Sequence, residues 1–174
     1  RRSDLTELAV DKNGWLNTGD LGLLTYDGEI KITGRAKDTI VLLGGENIEP
    51  QTIESAITSS QYIESIVVLG QDKKYLSALI VPSKEMILAY TNSTAKTTDE
   101  YKKILDSQPV LSLIRNEIDE RICSESGFRT CERIYKFALL PDSFTVGKEL
   151  SGKQEIMRHR IVDIYKDEIS TLFD

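Results

Sequence analysis

Gly34–Pro50 reads GRAKDTIVLLGGENIEP, and its reading decides the fold. Lys37-Asp38 is a charged pair that prefers water. Thr39–Leu43 is short, apolar and β-branched, which predicts a strand. Gly44-Gly45 then breaks it. Pro50 suits the first turn of a helix, where its missing N–H costs nothing. Ile53, Ala56 and Ile57 follow at helical spacing and predict a helix over 51–59.

Outward from this stretch, Leu21–Tyr26 and Glu29–Thr33 flank Asp27-Gly28, a turn signal, and predict a hairpin over 21–34. Thr18-Gly19-Asp20 stands before it. Residues 1–13 are polar and without period, and read as a loop or tail. Downstream, Ile63–Leu69 and Leu76–Val81 read as strands joined by Gln71-Asp72-Lys73-Lys74. Lys84–Tyr90 reads as a helix and Thr91–Thr98 as a mobile loop. Pro109 opens a helix with an apolar face of Leu111, Ile114, Ile118 and Ile122. Ile134–Leu140 is a strand stopped at Pro141, and 144–154 is a charged loop with glycines. Ile156–Phe173 closes as a helix with Ile161, Ile164 and Tyr165 inward. The expected class is α+β: a small mixed sheet of about three strands with flanking helices, preceded by a β-hairpin.

The chain has 174 residues, 40% of them apolar, enough for one core plus an appendage. Net charge is −6, so nucleic acid and anionic lipid surfaces are poor partners. No apolar run approaches the ~18 residues of a membrane span. The start, RRSDLTELAV, has neither an initiator Met nor the apolar core of a signal peptide. The chain therefore reads as a piece of a longer, cytoplasmic protein. Peripheral membrane association of the parent stays open. Cys123, Cys131 and His159 are too few for a Cys/His zinc site, and no metal ligands are assigned. The lone histidine, between Arg158 and Arg160, also lacks the orienting carboxylate of a Ser-His-Asp hydrolase.

The order TGD, GR-x-K-D, strand, Gly-Glu-Asn loop and Pro-led helix resembles the carboxyl-terminal part of adenylate-forming acyl-CoA ligases. The run FALLPDSFT (137–145) makes long-chain fatty-acid–CoA ligases the nearest match. The resemblance covers Gly14 onward, with a variable stretch near 92–106. It implies a parent that joins a fatty acid to coenzyme A through an acyl-adenylate, using ATP with Mg²⁺ and releasing AMP and pyrophosphate. Residues 1–36 would close the missing amino-terminal domain, and 37–174 would be the mobile lid. The phosphate loop and acyl tunnel would lie in that missing domain, so the isolated piece is expected to be inactive.

The resemblance assigns Asp20 to the ribose hydroxyls of ATP or AMP and Arg35 to ribose or phosphate oxygens. It places Lys37 and Asp38 at a hinge, and Gly44, Gly45, Glu46 and Asn47 along the pantetheine channel, with Gly45 as the loop glycine. For each there is a plain alternative: a surface turn, a solvated cation, a solvated pair, a turn glycine. The adenylation lysine is less direct. Long-chain ligases read L-T-P-T-x-K-x-K-R in this loop, and an ungapped match puts Glu155 at the lysine position. Ser151-Gly152-Lys153 matches the S-G-K of short-chain relatives, which makes Lys153 the candidate and Lys148 the fallback. Other readings are a short-chain or aryl acid–CoA ligase, a luciferase-like oxidase, a peptide-synthetase adenylation domain with a carrier-protein partner, or a non-catalytic interaction module.

Overall fold

A computed structural model describes residues 10–174, so most of the expected tail lies outside the described residues. Strands β1 (Asp20–Leu24) and β2 (Ile30–Arg35) pair antiparallel, from Asp20 opposite Arg35 to Leu24 opposite Ile30. The connection is longer than the Asp27-Gly28 pair suggested. The Thr25 N–H donates to the Glu29 carbonyl at 2.7 Å, and Gly28 sits at φ +82. The hairpin keeps its apolar side chains in water: Leu24 and Ile30 are each 75% exposed.

The expected strand over Thr39–Leu43 shortens to β3 (Ile40–Val41), because the chain folds straight back on it as β4 (Asn47–Ile48). The reversal is a tight turn. The Gly45 N–H donates to the Leu42 carbonyl at 2.9 Å and the Leu42 N–H to the Glu46 carbonyl at 3.0 Å. Helix α1 (Pro50–Ile57) follows. Ile53 and Ile57 are fully buried. Each such side chain is worth about 1.5–3 kcal/mol, so this short helix is held by packing rather than propensity.

The main sheet has three strands, in the order β5 (Ile63–Leu69), β6 (Leu76–Pro82), β7 (Ile134–Leu139). The first pair is antiparallel and the second parallel, which makes the sheet mixed, as expected. Every residue of β6 is buried, since helices cover both faces. The period of two sorts the side chains. Ile66, Val68, Ala78 and Ile80 face one core with Ile53, Ile57, Ile114 and Ile118. Val67, Leu69, Leu79 and Val81 face the other with Leu140, Phe144, Ile161 and Leu172.

Helix α2 (Lys84–Tyr90) is as read. The loop beyond it is shorter than expected, because α3 (Thr98–Leu105) begins inside it. Thr97 accepts the Glu100 N–H at 3.2 Å, and Tyr101 and Leu105 are buried one turn apart. Helix α4 (Gln108–Arg121) buries Val110, Ile114 and Ile118, so its seam starts at Val110 and Leu111 lies beside it, half-buried. The final helix is two: α5 (Arg158–Ile164) and α6 (Lys166–Phe173). Tyr165, at φ −105 and ψ 34, breaks it. The break turns Ile164 outward, to 39% exposure, and Leu172 takes the inward place. The helix also starts later than Ile156, which bridges to Leu150 instead.

Candidate functional site

Asp20 and Arg35 are register partners at the open end of the hairpin. Gly19, at φ +73, bends the chain there, and its carbonyl accepts the Ala36 N–H at 2.9 Å. Arg35 Nε lies 3.7 Å from Asp20 Oδ1, and Arg35 Nη2 lies 3.5 Å from Glu155 Oε1. These groups are half exposed, so the pairs add about 0–1 kcal/mol each and matter for placement, not stability. Arg35 and Glu155, far apart in sequence, meet at a cleft of about 1050 Å³ lined also by Lys37, Asp38, Glu54 and Arg158 among others, with Asp20 on the far side of Arg35 and outside the lining.

Lys153 sits in the turn just before Glu155. The Ser151 N–H donates to the Glu155 carbonyl at 2.8 Å, and the Ser151 hydroxyl accepts the N–H groups of Lys153 and Glu155, each at 3.2 Å. Gln154 takes φ +63 to close the turn. The Lys153 side chain is exposed, makes no ion pair among the described residues and does not line the cleft. Lys148 differs: its Nζ lies 3.2 Å from Glu149 Oε1.

Glu149 and Glu54 were not singled out in the sequence. Glu149 is buried and accepts from the Thr145 N–H at 3.0 Å, the Thr145 hydroxyl at 3.1 Å and the Tyr165 hydroxyl at 3.2 Å. Burial opposes its ionisation, but the Thr145 N–H, Lys148 and the Thr145 hydroxyl outweigh it and hold the carboxyl at about 2. Its own carbonyl accepts the Met157 N–H at 2.9 Å, so Glu149 anchors both ends of the Lys153 segment. Glu54 ties that segment to the sheet. Arg158 Nη2 lies 2.8 Å from Glu54 Oε1, which also accepts the Val68 N–H at 2.8 Å, and Arg158 Nη1 donates to the Val68 carbonyl. Burial pushes the Glu54 carboxyl up, against the pull of Arg158. The one available signal was a glutamate on a short helix, directly after the inward Ile53.

Lys37 and Asp38 are exposed in a turn closed by the Asp38 N–H on the Arg35 carbonyl at 2.9 Å. Gly44, Gly45, Glu46 and Asn47 are exposed too, with Gly45 at φ +88, a conformation that suits glycine. They do not line the cleft, which leaves this loop apart from Arg35, Glu54, Glu155 and Arg158. It abuts another surface instead. The Leu43 N–H donates to the Lys73 carbonyl at 2.8 Å. Tyr75 packs against Tyr135 with ring centres 4.9 Å apart and planes tilted by 36°, it stacks on Phe173 at 5.6 Å, and Lys73 Nζ stands 5.2 Å over the Phe173 ring. Cys123 and Cys131 are free thiols. Among the described residues no group of three or more His, Cys, Asp or Glu could hold a metal, and no helix is long and apolar enough to cross a membrane.

The family model of the AMP-binding enzyme C-terminal domain matches residues 37–174. The chain belongs to that family. Over 179 residues this AMP-binding C-terminal domain is 35% identical to the chloroplastic long-chain-fatty-acid–[acyl-carrier-protein] ligase AEE15 of Arabidopsis thaliana, covering 97% of this chain and 22% of that protein. Over 187 residues it is 30% identical to the long-chain-fatty-acid–CoA ligase ACSBG1 of Rattus norvegicus, covering 98% of this chain and 26% of that protein. The chain thus spans about a quarter of the length of the curated relatives it matches. Among solved structures it resembles the adenylation domain of a carboxylic acid reductase from Segniliparus rugosus, determined with AMP and a co-purified carboxylic acid. The TM-score is 0.80 at 25% identity, over 99% of this chain and 25% of that one. The expected fold class is that of this neighbour.

Proposed function

We propose that this AMP-binding C-terminal domain is the rotating lid of a long-chain fatty-acid–CoA ligase. The parent would convert ATP, fatty acid and coenzyme A to acyl-CoA, AMP and pyrophosphate. In the first step the carboxylate attacks the α-phosphorus and pyrophosphate leaves. In the second the coenzyme A thiol, losing its proton, attacks the acyl carbon and AMP leaves. The hairpin, with its uncovered Leu24, Ile30 and Ile32, would close the amino-terminal domain, and 37–174 would swing about Lys37-Asp38.

The carrying observation is the meeting of Asp20, Arg35 and Glu155 beside the turn that bears Lys153. Asp20 would accept the ribose hydroxyls, Arg35 would donate to ribose or phosphate, and Lys153 would reach the charge developing at the α-phosphate. Mg²⁺ would arrive on the phosphates of ATP.

The named relatives differ in their thiol acceptor, coenzyme A in one and an acyl-carrier protein in another. The surface beside the glycine loop favours free coenzyme A. Lys73, Tyr75 and an exposed Tyr135 offer stacking and positive charge to an adenine nucleotide, which a carrier protein's pantetheine arm lacks. The protein would act in the cytoplasm, with its amino-terminal domain as its constant partner.

The test uses the full-length parent. It should form acyl-adenylate and then acyl-CoA from ATP, a long-chain acid and coenzyme A, while residues 1–174 alone should form neither. Asp20→Ala should weaken ATP binding by about 2–3 kcal/mol through loss of a charge-assisted contact. Unchanged ATP affinity would make Asp20 a turn residue, and thioester formation by the isolated chain would overturn the lid reading.

A further inference from the structure

Glu49 stands at the N-cap position of α1 without a side-chain capping bond, and its carboxylate points back to the turn that holds Lys37 and Asp38. One oxygen, Oε1, accepts the Thr39 hydroxyl at 2.8 Å. The other, Oε2, is buried and has no hydrogen-bond partner among the described residues. It packs on Gly34, where an added Cβ would stand 2.7 Å from it. A methyl at Gly34 would therefore push against the far end of the Glu49 side chain, and backbone freedom is not at stake there. One helical turn along, the Thr52 hydroxyl donates to the Thr33 carbonyl at 3.5 Å. Glu49 therefore grips Thr39, just after the exposed turn, and presses on Gly34, just before it.

The two oxygens do opposite things. The bond to Thr39 stays within the 37–174 segment and would survive any rotation about Lys37-Asp38. The contact with Gly34 would not. In the orientation seen here Oε2 is withdrawn from solvent and gains no partner among the described residues, and a buried acceptor left unpaired costs free energy. Rotation away from the hairpin would return it to water. We propose that Glu49 is a positioning residue that acts as a release: it keeps this hairpin-docked orientation from becoming too stable, so that the lid can leave it for the second step. The docked orientation is the one that sets Glu155 and the Lys153 turn beside Asp20 and Arg35, which fits the first step. This inference rests on the lid reading above.

The experiment uses the full-length parent with Cys123→Ser and Cys131→Ser, spin-labelled at Asp27→Cys on the hairpin and Lys103→Cys on α3. Pulsed distance measurements then report lid orientation without any need for turnover. Glu49→Ala should shift the population toward the docked distance and slow acyl transfer from preformed acyl-adenylate by about tenfold, with adenylation nearly unchanged. Gly34→Ala should shift it the other way and slow adenylation. The double variant should return toward wild type, because the shortened side chain leaves room for the new methyl. Thr39→Val, which removes only the bond inside the lid, should leave the distances alone. An unmoved distance distribution and unmoved half-reaction ratio in Glu49→Ala would overturn the proposal. So would Gly34→Ala and Glu49→Ala moving the same way. A parent that makes no adenylate but shows the opposed distance shifts would end the ligase reading and keep the release. A parent that makes adenylate without those shifts would end the release alone.

Discussion

Arg35 Nη2 stands 3.5 Å from Glu155 Oε1, so the turn that carries Lys153 is held at the foot of the hairpin. This gives Glu155 a role other than facing phosphate, although it occupies the lysine position of an ungapped match. It also separates the two lysine candidates. Lys148 lies against the Glu149 carboxylate, whereas Lys153 extends from a tight turn with no ion pair among the described residues. Lys153→Ala in the full-length enzyme should lower adenylation by about 10²–10³, as expected for one pre-positioned charge. Transfer from preformed acyl-adenylate should survive. Lys148→Ala should cost far less in the first step. Pyrophosphate exchange measures it, and a Lys153→Ala rate within a few-fold of wild type would remove Lys153 from the role.

Tyr135 is 69% exposed on the surface that adjoins the Gly44–Asn47 loop, with Tyr75 packed against it at a tilt. If coenzyme A is the acceptor, Tyr135→Ala should raise the KM for coenzyme A about tenfold, in line with ~1–3 kcal/mol for a base on an aromatic ring. The KM for pantetheine, which has no adenine, should stay put. Equal effects on the two acceptors, or none on either, would argue for a carrier-protein acceptor instead.

The sequence was most legible where local pattern and tertiary need agree. The hairpin, α1, α2, β5 and β6 were all readable from period and turn residues. Helix α3 was missed because Thr91–Thr98 is polar enough to look like loop throughout, yet Thr97-Thr98-Asp99-Glu100 is also a capping sequence, and only the burial of Tyr101 decides it. The break at Tyr165 is equally silent, since helix propensity runs through it. Asp20, Arg35, Lys37 and the glycine loop could be singled out because each belongs to a short fixed-order pattern, and of these the cleft is lined by Arg35 and Lys37. Glu54 and Glu149 belong to none. Their importance comes from burial and from partners in distant segments, Arg158, Val68, Thr145 and Tyr165, that only the fold supplies.

The Glu54–Arg158 pair joins α1, β5 and α5 and is largely removed from water, at 11% and 18% side-chain exposure. Arg158→Met would leave a buried carboxylate without its counter-charge, which costs about 3–5 kcal/mol. Glu54→Leu combined with Arg158→Met should recover most of that loss, because it removes both charges. Urea midpoints of the three variants read this out. A double variant no better than Arg158→Met would show that the pair is valued for its hydrogen bonds to Val68 rather than for mutual neutralisation.

Glu149 makes stability pH-dependent in a stated direction. Its folded-state carboxyl, held at about 2, lies below the ordinary glutamate value of about 4.3. The folded state therefore binds its proton less readily than the unfolded chain. The resulting stabilisation is fully present above the ordinary value and is lost as pH falls from about 4 to about 2, with an upper limit of about 3 kcal/mol. Glu54, pushed upward by burial, works in the opposite sense, so the total acid limb mixes the two. The comparison of wild type with Glu149→Gln isolates the first. Gln keeps the shape but gives up the charge that gathers Thr145, Lys148 and Tyr165. The variant should unfold at a lower urea concentration than wild type at pH 7, and the gap should close toward pH 2 to 3 as the wild-type carboxylate takes its proton. A gap that stays the same width from pH 7 down to pH 2 would mean that Glu149 supports the loop by packing and hydrogen-bond count alone, without its charge.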